Sequence, residues 1–170
     1  TPPQNVSNSG GSSLPLVALT SDNVAHAIWW DANAGARYVR STRPVSDTQP
    51  ISWTAAIGLP DLIAGRELIT NTRTGTVTTK LFPYRDPQLL ADSEGGLNAL
   101  WVDEDGTLSS ARAVNGVWAR PLTAAQRVLA YAAVADTAGN IHITYSRPVG
   151  DALAPPGIYY RRLTRGAWLN

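Results

Sequence analysis

The chain has 170 residues, 44% of them hydrophobic and 16% charged, and its 14 basic and 13 acidic side chains leave a formal net charge of +1. Charges this sparse and this balanced give no electrostatic footprint for nucleic acid or for an anionic membrane surface. With no Cys there are no disulfides or thiolate metal sites, and no apolar run approaches the roughly 18 residues of a membrane span.

In chain order, residues 1–13, T-P-P-Q-N-V-S-N-S-G-G-S-S, have the composition of a flexible linker. Asn5-Val6-Ser7 within them is formally a glycosylation sequon. Lacking any Met and any visible signal peptide, the chain reads as a processed product, an excised domain or part of a longer polypeptide. From residue 14 onward, strand signals alternate with turn signals, and helical periodicity is almost absent.

A first unit, about 14–58, opens on the small aliphatic Val17-Ala18-Leu19, continues through L-T-S-D-N-V-A-H-A-I-W to Trp29, and adds Arg37–Arg40 and a last strand starting at Trp53. A second, about 59–86, has one strand, a turn at Gly75 and a second alternating strand, but lacks the outer half; it reads as a worn copy. The third, about 87–126, is the clearest. Strands Gln88–Ala91, Leu97–Val102 and Thr107–Arg112, and one starting at Val117, are separated by turns at Ser93-Glu94-Gly95-Gly96, Asp103-Glu104-Asp105-Gly106 and Asn115-Gly116, which supply the positive φ angles of tight hairpins. In the fourth, about 127–170, A-V-A-D-T-A-G-N-I-H-I-T-Y repeats the Asp, Gly and terminal aromatic of the third, Ile158–Arg162 repeats its third strand, and Arg165-Gly166-Ala167-Trp168 repeats Asn115-Gly116-Val117-Trp118.

A four-stranded repeat of about 40 to 45 residues is the signature of a β-propeller blade. The expected fold is therefore all-β: propeller-type blades of four-stranded antiparallel sheets, about three full units and one worn unit, an incomplete propeller (an open arc completed by another chain or a segment of a larger protein) being favoured over a small closed four-bladed ring. Small residues on the innermost strands fit near a crowded axis. Trp29, Trp101 and Tyr145 at the ends of second strands, and Trp53, Trp118 and Trp168 at the starts of fourth strands, are expected in inter-blade cores, with Trp101, Tyr145, Trp118 and Trp168 largely buried.

The pattern A-D-x-x-G-N-[IL]-H-[IV]-x-[WY], followed by a Tyr-rich strand ending in Arg and then G-x-W, resembles the repeats of sialidase-like six-bladed propellers, including their non-catalytic bacterial relatives. That resemblance implies a substrate clamp of three arginines, a Tyr nucleophile activated by Glu, and a separate Asp acid/base. The chain departs from the enzyme pattern. No Arg-Ile-Pro strand motif is present, and the nearest approach to an Asp-box, Ser46–Trp53, has Thr and Pro where Asp and Gly belong. Of Glu67, Glu94 and Glu104, only Glu67 lies outside a turn.

Two repeat columns need a reading. His26 and His142, with Asn98 between them, suit bases or metal ligands. A column shared by several units points instead to a structural role in each. Arg40, Arg112 and Arg162 form a second column, expected to pair with acidic turn residues between blades rather than to converge on one ligand. Asp103-Glu104-Asp105-Gly106 reads as an acidic hairpin turn rather than a cation loop. Finally, Trp29-Trp30 and Tyr159-Tyr160 put rings on both faces of a strand, and Trp30 and Tyr159 are the ligand-binding residues expected, their neighbours filling the inward positions.

The function expected is a non-catalytic, extracellular or cell-surface binding or scaffolding module, needing no cofactor, catalytic residue or metal, that recognises protein or glycan through loops and exposed aromatics. A glycoside hydrolase fragment and a self-assembling structural protein are the alternatives, and the remainder of a larger chain is a further possible partner.

Overall fold

The computed structural model describes residues 3–46, 49–59, 62–148 and 155–170. Among these every regular element is a β-strand, and no helix is long and apolar enough to cross a membrane. Sheet I is antiparallel in the order β1 (Ser12–Leu19), β2 (Ala25–Asp31), β3 (Gly35–Arg40), β4 (Ile57–Gly58). A two-stranded hairpin follows, β5 (Ala64–Thr70) with β6 (Val77–Pro83). Sheet II runs β7 (Arg85–Ala91), β8 (Leu97–Val102), β9 (Leu108–Val114), and its outer position is shared by β10 (Val117–Trp118) and β11 (Leu122–Ala125). Sheet III is β12 (Ala130–Ala135), β13 (Ile141–Arg147), β14 (Gly157–Thr164), β15 (Ala167–Leu169).

The three sheets superpose residue by residue in their hydrogen-bond register. His26, Asn98 and His142 stand opposite Arg40, Arg112 and Arg162, and Trp53, Trp118 and Trp168 stand opposite Ser41, Ala113 and Leu163. Even irregularities recur. Leu14-Pro15 and Asp86-Pro87 place a positive-φ residue at the same bulge of β1 and β7. The outer strand breaks alike in two sheets: after Trp53 it resumes at Ile57 opposite Tyr38, and after Trp118 it resumes at Leu122 opposite Ser110.

Each sheet buries alternate residues against its neighbour. Ala18, Ile28, Trp30, Ala36 and Tyr38 of sheet I form one cluster with Leu89, Leu97, Ala99, Trp101, Ala111 and Ala113 of sheet II. The opposite face of sheet II, through Leu100, Val102 and Leu108, forms another with Ile141, Ile143, Tyr145 and Leu163 of sheet III. Sheet II is thus covered on both sides, and every residue of β8 is buried.

One expectation needs correction, the burial of Trp118 and Trp168, and two further segments are seen in more detail. The stretch read as a worn unit is a hairpin inserted in the connection from sheet I to sheet II, which between sheets II and III is only residues 126–129. Its alternation is real, and Leu68, Ile69 and Val77 are exposed. Trp101 and Tyr145 are buried, whereas Trp118 and Trp168 are half-buried, because the outermost strand leaves one edge of each ring to solvent. Residues of linker composition are also partly engaged: β1 begins at Ser12, Trp53 Nε1 donates to Gln4 Oε1 at 3.3 Å, and Gln4–Ser7 border the face of sheet I that carries Trp29.

Leu100 sits fully buried between sheets II and III, so Leu100→Ala should lower unfolding free energy by about 3 kcal/mol in chemical denaturation. Leu68→Ala on the hairpin, 70% exposed, should change it by less than about 0.5 kcal/mol.

Candidate functional site

At one end of the sheets, the turn joining each inner strand to the second strand is built around a side-chain oxygen. Asp92 Oδ1 accepts from the backbone N–H of Glu94 and Gly96, and Asp136 Oδ1 accepts from those of Ala138 and Asn140. The equivalent position in sheet I is Thr20, whose N–H pairs with Val24 O as Asp92 N–H does with Gly96 O. Asp22, the acidic residue of the L-T-S-D-N-V-A-H stretch, is not in this column. It stands behind it instead, accepting from Thr20 Oγ1 at 2.6 Å, and that bond holds the Asp22 carboxyl below its ordinary range.

In sheet III, His142 Nε2–H donates to Asp136 Oδ2 at 2.9 Å, and Tyr160 O–H donates to His142 Nδ1 at 2.7 Å. The Asn140 amide and His142 hold the Asp136 carboxyl well below the usual carboxylate range. Sheet I repeats the chain with Thr20 Oγ1 at 3.2 Å from His26 Nε2 and Tyr38 O–H at 2.8 Å from His26 Nδ1; burial pushes His26 down and Tyr38 up. These bonds fix the imidazoles within their own sheets, the structural role that a shared column suggests.

Sheet II solves the same column differently. Asn98 replaces His, and its Nδ2 donates to Asp92 Oδ2 at 3.2 Å; Arg112 Nε donates to the same oxygen at 2.8 Å, and Arg112 Nη2 reaches Glu94 Oε2 at 2.9 Å. Burial pulls Asp92 upward, but hydrogen bonds from Arg112 and the Gly96 N–H, with the guanidinium charge, outweigh it and hold the carboxyl below its ordinary range. Gly96 is required here, since a Cβ would lie 2.6 Å from Asp92 Oδ2 and 2.8 Å from Arg112 Nη2. Arg112 therefore pairs within its own sheet, not between sheets, because its strand lies beside the turn carrying both carboxylates. Ser110 stands where Tyr38 and Tyr160 stand, and its Oγ accepts from Trp168 Nε1. With no phenol in that position, Asn98 Oδ1 is buried without a hydrogen-bond partner.

Between this cluster and sheet III lies a cleft of about 550 Å³, walled by Asp92, Glu94, Asn98 and Arg112 on one side and by Asn140, Thr164 and Arg165 on the other. Thr164 Oγ1 donates to Asn140 Oδ1 at 2.8 Å, and a Cβ on Gly139 would come within 3.0 Å of Ser93 Oγ, so the two turns close the cleft tightly at one edge. The cleft presents two guanidinium groups, two carboxylates and amide and hydroxyl groups within a frame of capped turns.

The remaining candidates lie elsewhere. Trp30 is 8% exposed and packs toward sheet II, while Trp29 is buried on the other face, beside Gln4–Ser7; neither presents a free ring. The Tyr159 ring stacks on Tyr145 with centroids 5.5 Å apart, the Arg147 guanidinium lies 5.0 Å from its centroid, and its hydroxyl donates to Pro155 O. Tyr160, on the opposite face, is the exposed ring. Glu67 is exposed on the hairpin opposite Lys80, outside the cleft, and Asp103 Oδ1 caps the N–H groups of Asp105 and Thr107 in its turn. Among the described residues no three His, Asp or Glu side chains gather to hold a metal ion.

No family model matches the chain, and no curated protein sequence is significantly similar to it.

Asp92 has a depressed folded-state pKa, so its stabilisation is complete above about pH 4, where the unfolded carboxyl is ionised, and is lost as pH falls through the lower folded value. Asp92→Ala should cost about 2 kcal/mol at neutral pH by stranding the Gly96 N–H, Asn98 and Arg112. It should also flatten the acid limb of the stability profile, which denaturation at pH 7 and pH 3 would measure.

Proposed function

We propose that the chain is a non-catalytic binding module, built of propeller-type blades, that takes a hydroxyl-rich ligand such as a glycan in the cleft between sheets II and III. The observation that carries this reading is the cleft's wall of fixed donors and acceptors. A cavity of this size suits one or two sugar rings, and specificity in such sites comes from a few polar groups set in place before the ligand arrives. Arg165 and Arg112 supply donors, Glu94 and Asn140 supply acceptors, and a donor brought to the cleft floor at Asn98 would satisfy an acceptor that lacks one. A glycan ligand would be met outside the cell or at its surface.

The same geometry argues for binding over hydrolysis. Glycoside hydrolysis needs one carboxyl protonated and another poised as base or nucleophile. Here Asp92 and Glu94 share one guanidinium, and Asp92 is held ionised, so the pair accepts hydrogen bonds rather than delivering a proton. The register of the three sheets and their face-to-face packing support the propeller arrangement; the likeness to sialidase-type repeats rests on the residue columns alone.

Glycan-array screening followed by calorimetry tests the reading. Arg165→Ala and Asn140→Ala should each weaken binding about tenfold or more, while Val77→Lys on the hairpin leaves it unchanged. Fluorogenic sialosides and other glycosides should not be turned over; turnover abolished by Glu67→Gln would replace this reading with an enzyme.

A further inference from the structure

Sheet III ends the array with an uncovered face. Val134, Ile158 and Tyr160 are 60%, 75% and 52% exposed there, beside exposed Ala132 and Thr144. At the two junctions within the chain, the same columns are filled. Ala18 of sheet I shares a cluster with Leu89 of sheet II, and Leu90 of sheet II and Ala133 of sheet III pack against the same cluster. Tyr38 meets Trp118 edge-on with centroids 5.8 Å apart, and Ser110 accepts from the Trp168 indole. By register, Val134 is the next member of the Ala18, Leu90 series and Tyr160 the next of the Tyr38, Ser110 series.

The matching residues stand at the other end of the chain. Val17 of sheet I occupies the column of Leu89 and Ala133, Trp29 that of Trp101 and Tyr145, and Trp53 that of Trp118 and Trp168. Among the described residues no other sheet packs on them. Val17 is 73% exposed, and the residues bordering Trp29 leave a cavity of about 470 Å³ while Trp29 Nε1 lies buried without a hydrogen-bond partner. The one chain therefore carries both halves of an interface that it makes twice internally and leaves unmade at its ends.

We propose that a second copy of this chain docks its sheet I on sheet III, seating Val17 against Val134 and Trp53 against Tyr160, and that two copies close head to tail. A heterologous interface closes into a ring when its rotation allows. Radial arrays of four-stranded sheets typically close at about four to eight. With three sheets per copy, two copies fall in that range and three do not. In closing, Trp53 exchanges its bond to Gln4 for a place on Tyr160, and the cavity beside Trp29 is filled.

Sedimentation equilibrium of the purified chain tests this. The expected result is a species of twice the chain mass, with Val17→Lys and Val134→Glu each weakening the dimer at least about tenfold. Both substitutions fall on exposed positions, and an unchanged far-ultraviolet circular dichroism spectrum would confirm folding. Mixing the two variants should restore a heterodimer, since one copy contributes an intact sheet I face and the other an intact sheet III face. A monomer at every concentration, a dimer indifferent to Val17→Lys, or an open series of larger masses would each overturn the proposal.

Discussion

Strand β8 has no solvent side, and the rest of the structure depends on that fact. A strand of an antiparallel sheet ordinarily alternates apolar and polar residues because one face is wet. Leu97-Asn98-Ala99-Leu100-Trp101-Val102 has both faces covered, one by sheet I and one by sheet III. Removing either neighbour would expose three of its side chains at once, so the sheets stabilise one another rather than standing alone. Ala99, Ala111 and Ala113 are small where Trp30, Tyr38 and Trp101 are large, and that alternation of volume lets two twisted sheets interdigitate. The outer sheets have one such neighbour each, and the burial of their strands falls off accordingly.

Most of the polar side chains inside this packing are tied locally. Sheets I and III carry a chain from a turn oxygen through imidazole to a tyrosine hydroxyl; sheet II replaces it with a carboxylate, a guanidinium and an amide. A buried donor or acceptor left without a partner costs about 1–3 kcal/mol, so neither solution can be changed one residue at a time. Exchanging His and Tyr for Asn98 and Ser110 removes two rings from the interface with sheet III and leaves an acceptor unused. Loss of the repeat at these two positions is what makes the II–III junction a polar cleft, where the I–II junction has the Tyr38–Trp118 contact.

Much of the fold was legible because turn chemistry and strand alternation agree. The Asp-Gly and Asn-Gly turns fixed the ends of β8 and β9, and the aromatic columns aligned the sheets. Parity decided what was missed. Tyr159 and Tyr160 differ only in which face they occupy, and with Tyr159 opposite Tyr145 it is Tyr160 that meets solvent. Trp29 and Trp30 are both buried, Trp30 against sheet II and Trp29 beside Gln4–Ser7 on the far face. Thr20 was hidden in its column by Asp22 nearby, which accepts from both the Thr20 hydroxyl and the Val24 N–H of the same turn. The hairpin Ala64–Pro83 looked like half a unit because local alternation is the same whether or not another sheet covers it. The cleft combines residues of two sheets that are distant in the chain, and no local pattern announces it.

Native-state hydrogen exchange resolved by residue measures the central claim, that sheet II is the shared core of a face-packed array. Amides of β8 should exchange only through global unfolding, while those of β5 and β6 exchange through local opening and the outer strands β4 and β15 fall between. Exchange in β8 as fast as in the hairpin, or protection in sheet I that survives loss of sheet II, would contradict the account.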